Sequence, residues 1–176
     1  GAFDYESLLP DLLCALEQGR VIVVDTTLFS ELEQFLFTTV VARVLFALRK
    51  ALRSAPDAAG LPRAIQLSLG HDSNPPGSRG QQSLADALLE RLNDDRLPYL
   101  TGDVLRSIED LPHVNLVIEE APSILNPARL KFGSVFRDIS RQGRKFGIGL
   151  SVISQQVTAI DPGILTQLNT ELTMGL

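Results

Sequence analysis

The sequence predicts an α/β domain with a mostly parallel sheet and helices on both faces. Residues 113–118 and 148–153 form short, continuous apolar runs rich in β-branched residues, which is typical of strands buried on both faces. Between them, residues 127–142 carry apolar side chains at helical spacing and end at Gly143. A strand, a crossover helix and a parallel strand make one right-handed unit, so we expect both strands to end at the same edge of the sheet.

The preceding and following segments extend this α/β pattern. Residues 8–16 predict a helix, and residues 21–25 predict a third strand that ends in an acid. Ser30 and Glu33 match a capping box at the start of a long helix that reaches about residue 53. The other predictions are strands at 64–69 and 171–176, helices at 83–92, 104–108 and 163–168, and loops at 70–82 and 157–162.

Length and composition restrict the class of protein. A chain of 176 residues with 21% charged residues has the size and composition of one globular domain, and no apolar run reaches the length of a membrane span. Its one cysteine, Cys14, excludes an internal disulfide and suits a reducing cytoplasm. The net charge of −5 gives no overall attraction for nucleic acid, so DNA contacts would have to come from loops or an assembled oligomer. Because the chain begins with glycine, we expect it to be a piece of a longer protein.

Polar side chains follow both strands of the predicted parallel pair. Glu119 and Glu120 follow the first strand, and Ser154 and Gln155 follow the second. Open α/β sheets bind ligands at this edge. Adjacent carboxylates can hold the shell of a magnesium ion and orient or deprotonate an attacking water, and a nearby amide can contact a γ-phosphate. An arginine of an adjacent subunit can neutralise the charge that develops in the transition state, and Arg144, in a glycine-flanked turn, has the exposure needed for this role.

The order and spacing of four segments resemble one known family. Residues 116–122 (LVIEEAP), 141–150 (RQGRKFGIGL), 154–156 (SQQ) and 168–170 (LNT) resemble the C-terminal half of the motor core of HerA-type ATPases. These enzymes belong to the HerA–FtsK group of hexameric P-loop DNA translocases. Residues 19–25 and the long helix after them also resemble the segment before the Walker B strand, so the resemblance covers most of the chain except about 54–111.

This resemblance implies a single partial domain over residues 1–176, part of a three-layer RecA-like P-loop NTPase core in which 54–111 is an insertion of unclear role. Glu119 would take the magnesium-side position, through water, and Glu120 the catalytic position of Walker B. Gln155 would be the sensor, with Ser154 beside it at the nucleotide, and Arg144 the arginine finger acting in trans. Arg141 is a second candidate for the finger. The cofactors would be ATP and magnesium.

The same resemblance implies partners: DNA held by an assembled ring, further copies in a homo-hexamer, and a nuclease or another effector protein. It implies a helicase or translocase role in DNA repair in the cytoplasm. The chain departs from the family at Pro122, where a histidine is frequent, and in having no Gly-x-x-x-x-Gly-Lys-[Ser/Thr] loop. Residues 77–80 lack that spacing and the lysine, so we expect the phosphate-binding loop upstream and no appreciable ATPase activity in the isolated chain.

Two other functions remain open from the sequence. The chain could belong to an ATPase that drives conjugation or secretion, or it could be a non-catalytic α/β interaction module, because an apolar strand ending in two acids also arises by chance. Asp25 could support the site or simply cap the end of a strand. The basic residues of the long helix predict a solvated or subunit-facing stripe; they are Arg43, Arg49, Lys50 and Arg53. The distant His71 and His113 do not indicate a metal site, and Ser151 and Ser154 lack a nucleophile elbow.

Overall fold

The computed structural model describes residues 5–70, 79–131, 134–168 and 170–172, which form an α/β architecture with two small sheets. Its helices are α1 (Tyr5–Glu17), α2 (Glu31–Ser54), α3 (Leu61–Gly70), α4 (Arg79–Asn93), α5 (Pro122–Leu125), α6 (Val135–Gln142) and α7 (Pro162–Leu165). Its strands are β1 (Leu100–Thr101), β2 (Val104–Leu105), β3 (Val114–Ile118) and β4 (Ile148–Val152). Short 3-10 helices cover Ile108–Asp110, Gly143–Phe146 and Val157–Ala159.

The predicted parallel pair is present as β3 and β4. The two strands run parallel from the pairing of Val114 with Ile148 to that of Ile118 with Val152. The crossover between them is not the single helix predicted over residues 127–142. Asn126 is extended because the residue before Pro127 avoids the α region, so α5 ends there and α6 begins only at Val135. The predicted end at Gly143 is confirmed.

One face of the parallel pair is open in the described part of the chain. Val114 and Ile118 are buried, whereas Asn115 and Val117 on the alternate face are exposed, Val117 to 57%. Across that face, the Asn115 amide donates a hydrogen bond of 2.9 Å to the Ser151 hydroxyl. The prediction that helices cover the sheet on both faces is therefore wrong for the described residues.

Helix α2 is the element against which much of the domain packs. Its capping box is confirmed: the Ser30 hydroxyl accepts from the Glu33 backbone, and the Glu33 carboxylate accepts from the Ser30 backbone at 2.7 Å. One face of the second half of α2 is buried, with Leu45 and Leu48 fully inaccessible, and the helix contacts α3, α5 and α6. In the first half, Leu32, Leu36 and Val40 are exposed.

The strand predicted over residues 21–25 is absent. Residues 20–26 form no strand, and Val21 and Val23 are 92% and 89% exposed. A β-branched run favours an extended backbone, but a strand also needs a hydrogen-bonded neighbour, and the described residues supply none here.

Two predictions in the segment between α2 and β3 are wrong. Residues 64–69 were predicted as a strand but lie in α3, where Leu61 and Ile65 are buried one helical turn apart and Leu67 is exposed. Residues 104–108 were predicted as a helix, but their start forms β2, which pairs with β1 through the two-residue turn at Gly102 and Asp103. Gly102 has φ +59°, as such hairpin turns require.

Other predictions are confirmed in part. The helices predicted over 8–16, 83–92 and 163–168 correspond to α1, α4 and the shorter α7. Of the loop predicted over 70–82, residues 71–78 lie outside the described residues and 79–82 belong to α4. Of the terminal strand predicted over 171–176, residues 173–176 lie outside the described residues, and 171–172 form no strand. No helix in the described ranges is long and apolar enough to cross a membrane.

A buried polar cluster joins α1, α2 and the segment before β1. Glu17, Arg49 and Tyr99 are all fully inaccessible. The Arg49 guanidinium contacts both Glu17 oxygens, at 2.9 and 2.7 Å, and the Tyr99 hydroxyl donates to Glu17 Oε1 at 2.6 Å. The prediction of a solvated or subunit-facing basic stripe on α2 is therefore wrong for Arg49, although Arg43, Lys50 and Arg53 are exposed.

Candidate functional site

The two acids lie where β3 ends, and the backbone there is unusual. Glu119 and Glu120 are exposed, and Glu120 has φ +48°, a left-handed conformation that is uncommon for a residue other than glycine. Two local bonds hold this turn, because the Ser123 N–H and hydroxyl donate to the Glu120 carbonyl at 2.9 and 2.8 Å. Residues held in sparsely populated conformations cluster at functional sites, so this turn is a candidate site on structural grounds as well.

The exit of β4 is bonded directly to the turn that carries the acids. The Ile153 N–H donates to the Ile118 carbonyl at 2.9 Å, and the Ala121 N–H donates to the Ile153 carbonyl at 3.1 Å. Glu119 and Glu120 therefore lie in a short loop bracketed by Ile153, the residue just before Ser154 and Gln155. The expectation that these four residues gather at one edge of the sheet is confirmed.

The side chains at this edge differ in whether they have partners. The Ser154 hydroxyl accepts from the Gln156 N–H at 2.9 Å and so closes a local turn. In the described part of the chain, the carboxylates of Glu119 and Glu120 and the exposed amide of Gln155 have no hydrogen-bond or ion-pair partner. These oxygen and amide groups remain available to a ligand.

A metal ion would need further ligands at this edge. Carboxylate oxygens suit magnesium, which is usually bound through one or two carboxylates together with water and substrate phosphates. The described residues contain no group of three or more His, Cys, Asp or Glu side chains that could hold a metal by themselves. Two carboxylates alone would hold magnesium only together with water and a phosphate ligand.

Arg144 and Arg141 lie at the opposite end of the parallel strands from the acids. Arg144 belongs to the 3-10 turn Gly143–Phe146, directly before β4 begins, whereas the acids follow the end of the parallel neighbour β3. The five residues of β4 span about 16 Å. Arg141 lies in the last turn of α6, near Arg144, and the structure brings neither arginine to the acids of its own chain.

Both glycines of the arginine turn are required by close contacts. A Cβ at Gly143 would lie 2.5 Å from the Ile148 carbonyl oxygen. Gly147 has φ +65° and ends the turn, and a Cβ there would lie 3.0 Å from the Arg49 guanidinium. The backbone that carries Arg144 can therefore connect α6 to β4 in this way only with glycine at both positions.

An ion pair between a half-buried arginine and a buried aspartate, which the sequence did not predict, supports the segment after Gln155. Arg137 on α6 binds both carboxylate oxygens of Asp161, at 3.1 and 2.6 Å, and Asp161 is 3% exposed. This hydrogen-bonded pairing lowers the pKa of Asp161 below its usual value. The Asp161 N–H donates to the Leu125 carbonyl at 2.8 Å, so the segment is fixed to α5 as well. The sequence signal in this segment was an aspartate directly before Pro162, which is typical of a helix start and predicts α7 but not the ion pair.

Asp25 makes local bonds at its own turn. Its carboxylate accepts from the Thr27 N–H at 2.9 Å and from the Thr27 hydroxyl, and these bonds lower its pKa. The described residues form no strand here for Asp25 to cap, and its carboxylate is used in this local turn.

Parts of the chain are similar in sequence to archaeal helicases. A probable helicase, MJECL08, of Methanocaldococcus jannaschii is 29% identical over 96 residues, which cover 53% of this chain and 18% of that protein. A probable DNA double-strand break repair helicase HerA of the same organism is 38% identical over 68 residues, covering 36% of this chain and 13% of the relative. The DNA double-strand break repair helicase HerA of Pyrococcus furiosus is 47% identical over 38 residues, covering 22% of this chain and 7% of the relative.

Over a fraction of its length, the chain is a distant homologue of archaeal HerA. The aligned part spans less than a fifth of each of these three relatives. No family model matches the chain, and no solved structure matches it. The homology thus connects the chain to HerA and a HerA-like helicase.

Proposed function

We propose that the chain is the C-terminal half of the RecA-like motor core of a HerA-type ATPase, which hydrolyses ATP to move along duplex DNA. One observation carries the proposal: two acids and an amide converge at the carboxyl ends of adjacent parallel strands, in a chain with partial homology to HerA. P-loop ATPases require this arrangement because the attacking water and the γ-phosphate must meet at one edge of the sheet.

Each residue at this edge has a proposed role. Glu120 orients or deprotonates the water that attacks the γ-phosphate, and its left-handed backbone sets the direction of its carboxylate. Glu119 contributes to the water shell of magnesium, which neutralises charge on the phosphates when it is bound. Gln155 contacts the γ-phosphate, and Ser154 shapes the turn beside it.

The arginine finger acts on the nucleotide of a neighbouring subunit. Arg144 is exposed and has no hydrogen-bond or ion-pair partner within the described ranges. It lies at the opposite end of the strands from the acids of its own chain. An arginine in that place serves an ATPase only if subunits form a ring, as in a homo-hexamer around DNA. Arg141 is the second candidate for the same role. A nuclease or another effector protein would be a further partner of the ring.

Other parts of the same protein complete the domain. Parallel sheets are normally covered on both faces, yet Asn115 and Val117 are exposed here. The phosphate-binding loop and the strands that belong beside β3 would lie upstream of this chain. In this proposal residues 1–176 are one partial domain in which residues 54–111 are an insertion that packs on α1 and α2.

The acids are tested in the full-length protein. Glu120→Gln should abolish ATP hydrolysis and leave ATP binding nearly unchanged, because the amide keeps the size of the side chain but cannot accept a proton. Asp103→Asn, in the exposed turn of the β1–β2 hairpin, is the matched control and should keep full turnover. Turnover in Glu120→Gln at the wild-type rate would contradict the proposal. The isolated chain should show no appreciable ATPase activity.

The finger is tested by mixing subunits. Arg144→Ala should abolish hydrolysis with binding retained, since a trans arginine contributes about 10³–10⁵ in rate. Rings mixed from Glu120→Gln and Arg144→Ala subunits should regain part of the activity. At one class of interface, an intact Glu120 then faces an intact Arg144. Mixed rings that stay inactive, or an Arg144→Ala protein that keeps its turnover, would remove Arg144 from this role.

A further inference from the structure

Two arginines of α2 reach the turn that carries Arg144. The Arg53 guanidinium donates to the Lys145 carbonyl at 2.8 Å, and the Arg49 guanidinium donates to the Phe146 carbonyl at 3.5 Å. These are consecutive carbonyls, directly after Arg144. One helix therefore contacts the backbone of the turn at two successive positions.

Side-chain packing holds the same turn against α2. The Phe146 ring meets the Phe46 ring edge to face, with 5.1 Å between centroids. The Arg53 guanidinium lies 5.8 Å from the centroid of the Phe146 ring, within the range of a cation–π contact. Glycine at position 147 allows the Arg49 guanidinium to approach, because a Cβ there would lie 3.0 Å from Nη1.

Arg49 is itself fixed on all sides. It is fully buried, it is paired with both oxygens of Glu17, and it donates to the Pro112 carbonyl at 2.8 Å. Pro112 lies just before β3, the strand that leads to the two acids. A guanidinium is a planar fork with fixed donor directions, so Arg49 sets the turn before β4 relative to the start of β3.

Arg144 depends on this backbone for its position. Its side chain is exposed, and none of the described residues forms a hydrogen bond or an ion pair with it. We propose that Arg49 and Arg53 are positioning residues for Arg144, which fix the backbone of the turn so that the side chain can reach a nucleotide on the neighbouring subunit. This inference rests on the proposed function, and it adds two residues that do not touch the nucleotide themselves.

Arg53 provides the clean test because it is exposed, whereas loss of Arg49 would leave Glu17 buried and unpaired. In the full-length protein, Arg53→Gln should lower kcat for ATP by about 10-fold to 100-fold, the range expected for a misplaced catalytic group, with KM unchanged. Arg53→Lys should recover part of the loss, since its ammonium can donate to the same carbonyl. Arg63→Gln, at an exposed arginine on α3, is the matched control and should behave as wild type.

Two further measurements separate positioning from a general loss of structure. In rings mixed from Glu120→Gln and Arg144→Ala subunits, Arg53→Gln should lower turnover when the Glu120→Gln subunit carries it and not when the Arg144→Ala subunit does, because it acts through Arg144. Hydrogen exchange should become faster at the Gly147 amide, which donates to the Arg144 carbonyl at 3.3 Å. Exchange in β3 and β4 should stay as in the wild type.

The outcomes distinguish this inference from the proposed function. If Arg144→Ala abolishes turnover while Arg53→Gln keeps it, the positioning role is wrong and the finger stands. An equal loss of turnover with Arg53→Gln on either subunit of the mixed ring, or unchanged exchange at Gly147, would overturn the inference in the same way. If Arg144→Ala keeps turnover, the finger itself is wrong and the positioning role falls with it.

Discussion

Replacing Tyr99 with phenylalanine should destabilise the fold by about 1.5–3 kcal/mol, the usual value of a hydrogen bond to a charged group. Tyr99 is fully buried, and its hydroxyl donates to Glu17 at 2.6 Å. The substitution removes only the oxygen, so the ring keeps its packing. Glu17 keeps its pairing with Arg49, and because the carboxylate is inaccessible, water cannot replace the lost donor.

The loss can be measured by urea unfolding followed by circular dichroism. With a slope of about 2–3 kcal/mol per molar urea, the midpoint should fall by roughly 1 M at constant slope. Thr39→Val is the matched control, since the buried Thr39 hydroxyl has no hydrogen-bond partner among the described residues. Its removal should leave the midpoint unchanged or raise it slightly. A Tyr99→Phe protein as stable as Thr39→Val would refute the reasoning.

Three other measurements test the backbone and the titrating groups. The Glu120→Gly protein should be more stable than Glu120→Ala by about 1 kcal/mol, because the backbone φ at this position is +48°. Gln66, exposed within α3, is the control, and there the alanine variant should be more stable than the glycine variant by about the same amount. The same order of stability at both positions would contradict the assignment of strain to Glu120. The hydrogen bonds from Arg137 lower the pKa of Asp161 in the folded state. The stabilisation they give is complete above the unfolded-state pKa of about 3.9 and is lost as pH falls through the folded-state pKa. Asp161→Asn should therefore weaken the pH dependence of the unfolding midpoint in acid, and an unchanged acid profile would count against a stabilising role of the pair. Burial raises the pKa of the Cys14 thiol to about 11, so at pH 8 about one thiol in a thousand is ionised. Labelling of Cys14 by a thiol reagent should therefore be slow in the native state and fast in urea. Equal labelling rates would show that the thiol is accessible in the native state.

The sequence was most informative where local chemistry decides the structure. The capping box at Ser30 and Glu33 fixes a helix start through bonds within one turn, and this prediction is confirmed. The end of α6 at Gly143 is confirmed as well, although Gly143 has a helical backbone and is required by its contact with the Ile148 carbonyl. The gathering of Glu120 and Gln155 at one edge followed from the parallel orientation of the two strands, and it also holds.

The failures share one cause, which is that tertiary partners decide between local alternatives. Apolar residues at 65, 67 and 69 fit a strand, but the burial of Leu61 and Ile65 on one helical face decided for α3. The β-branched run at 21–25 has no strand beside it in the part of the chain that the structure describes. Arg49 looked like a surface cation, although its place between Leu45 and Leu52 on the buried side of α2 was a signal that could have been used. The left-handed backbone of Glu120 had no signal, since no glycine stands there.

The unpaired outer edges of β3 and β4 matter for anyone who handles this polypeptide by itself. Within the described residues each strand has hydrogen bonds to the other strand only, so backbone donors and acceptors on both outer sides are free to recruit a strand from another molecule. Exposed Val117 and Ile153 add apolar area beside those edges. Concentrated samples would self-associate through intermolecular strand addition, and a lysine at position 117 is the substitution that would counter it.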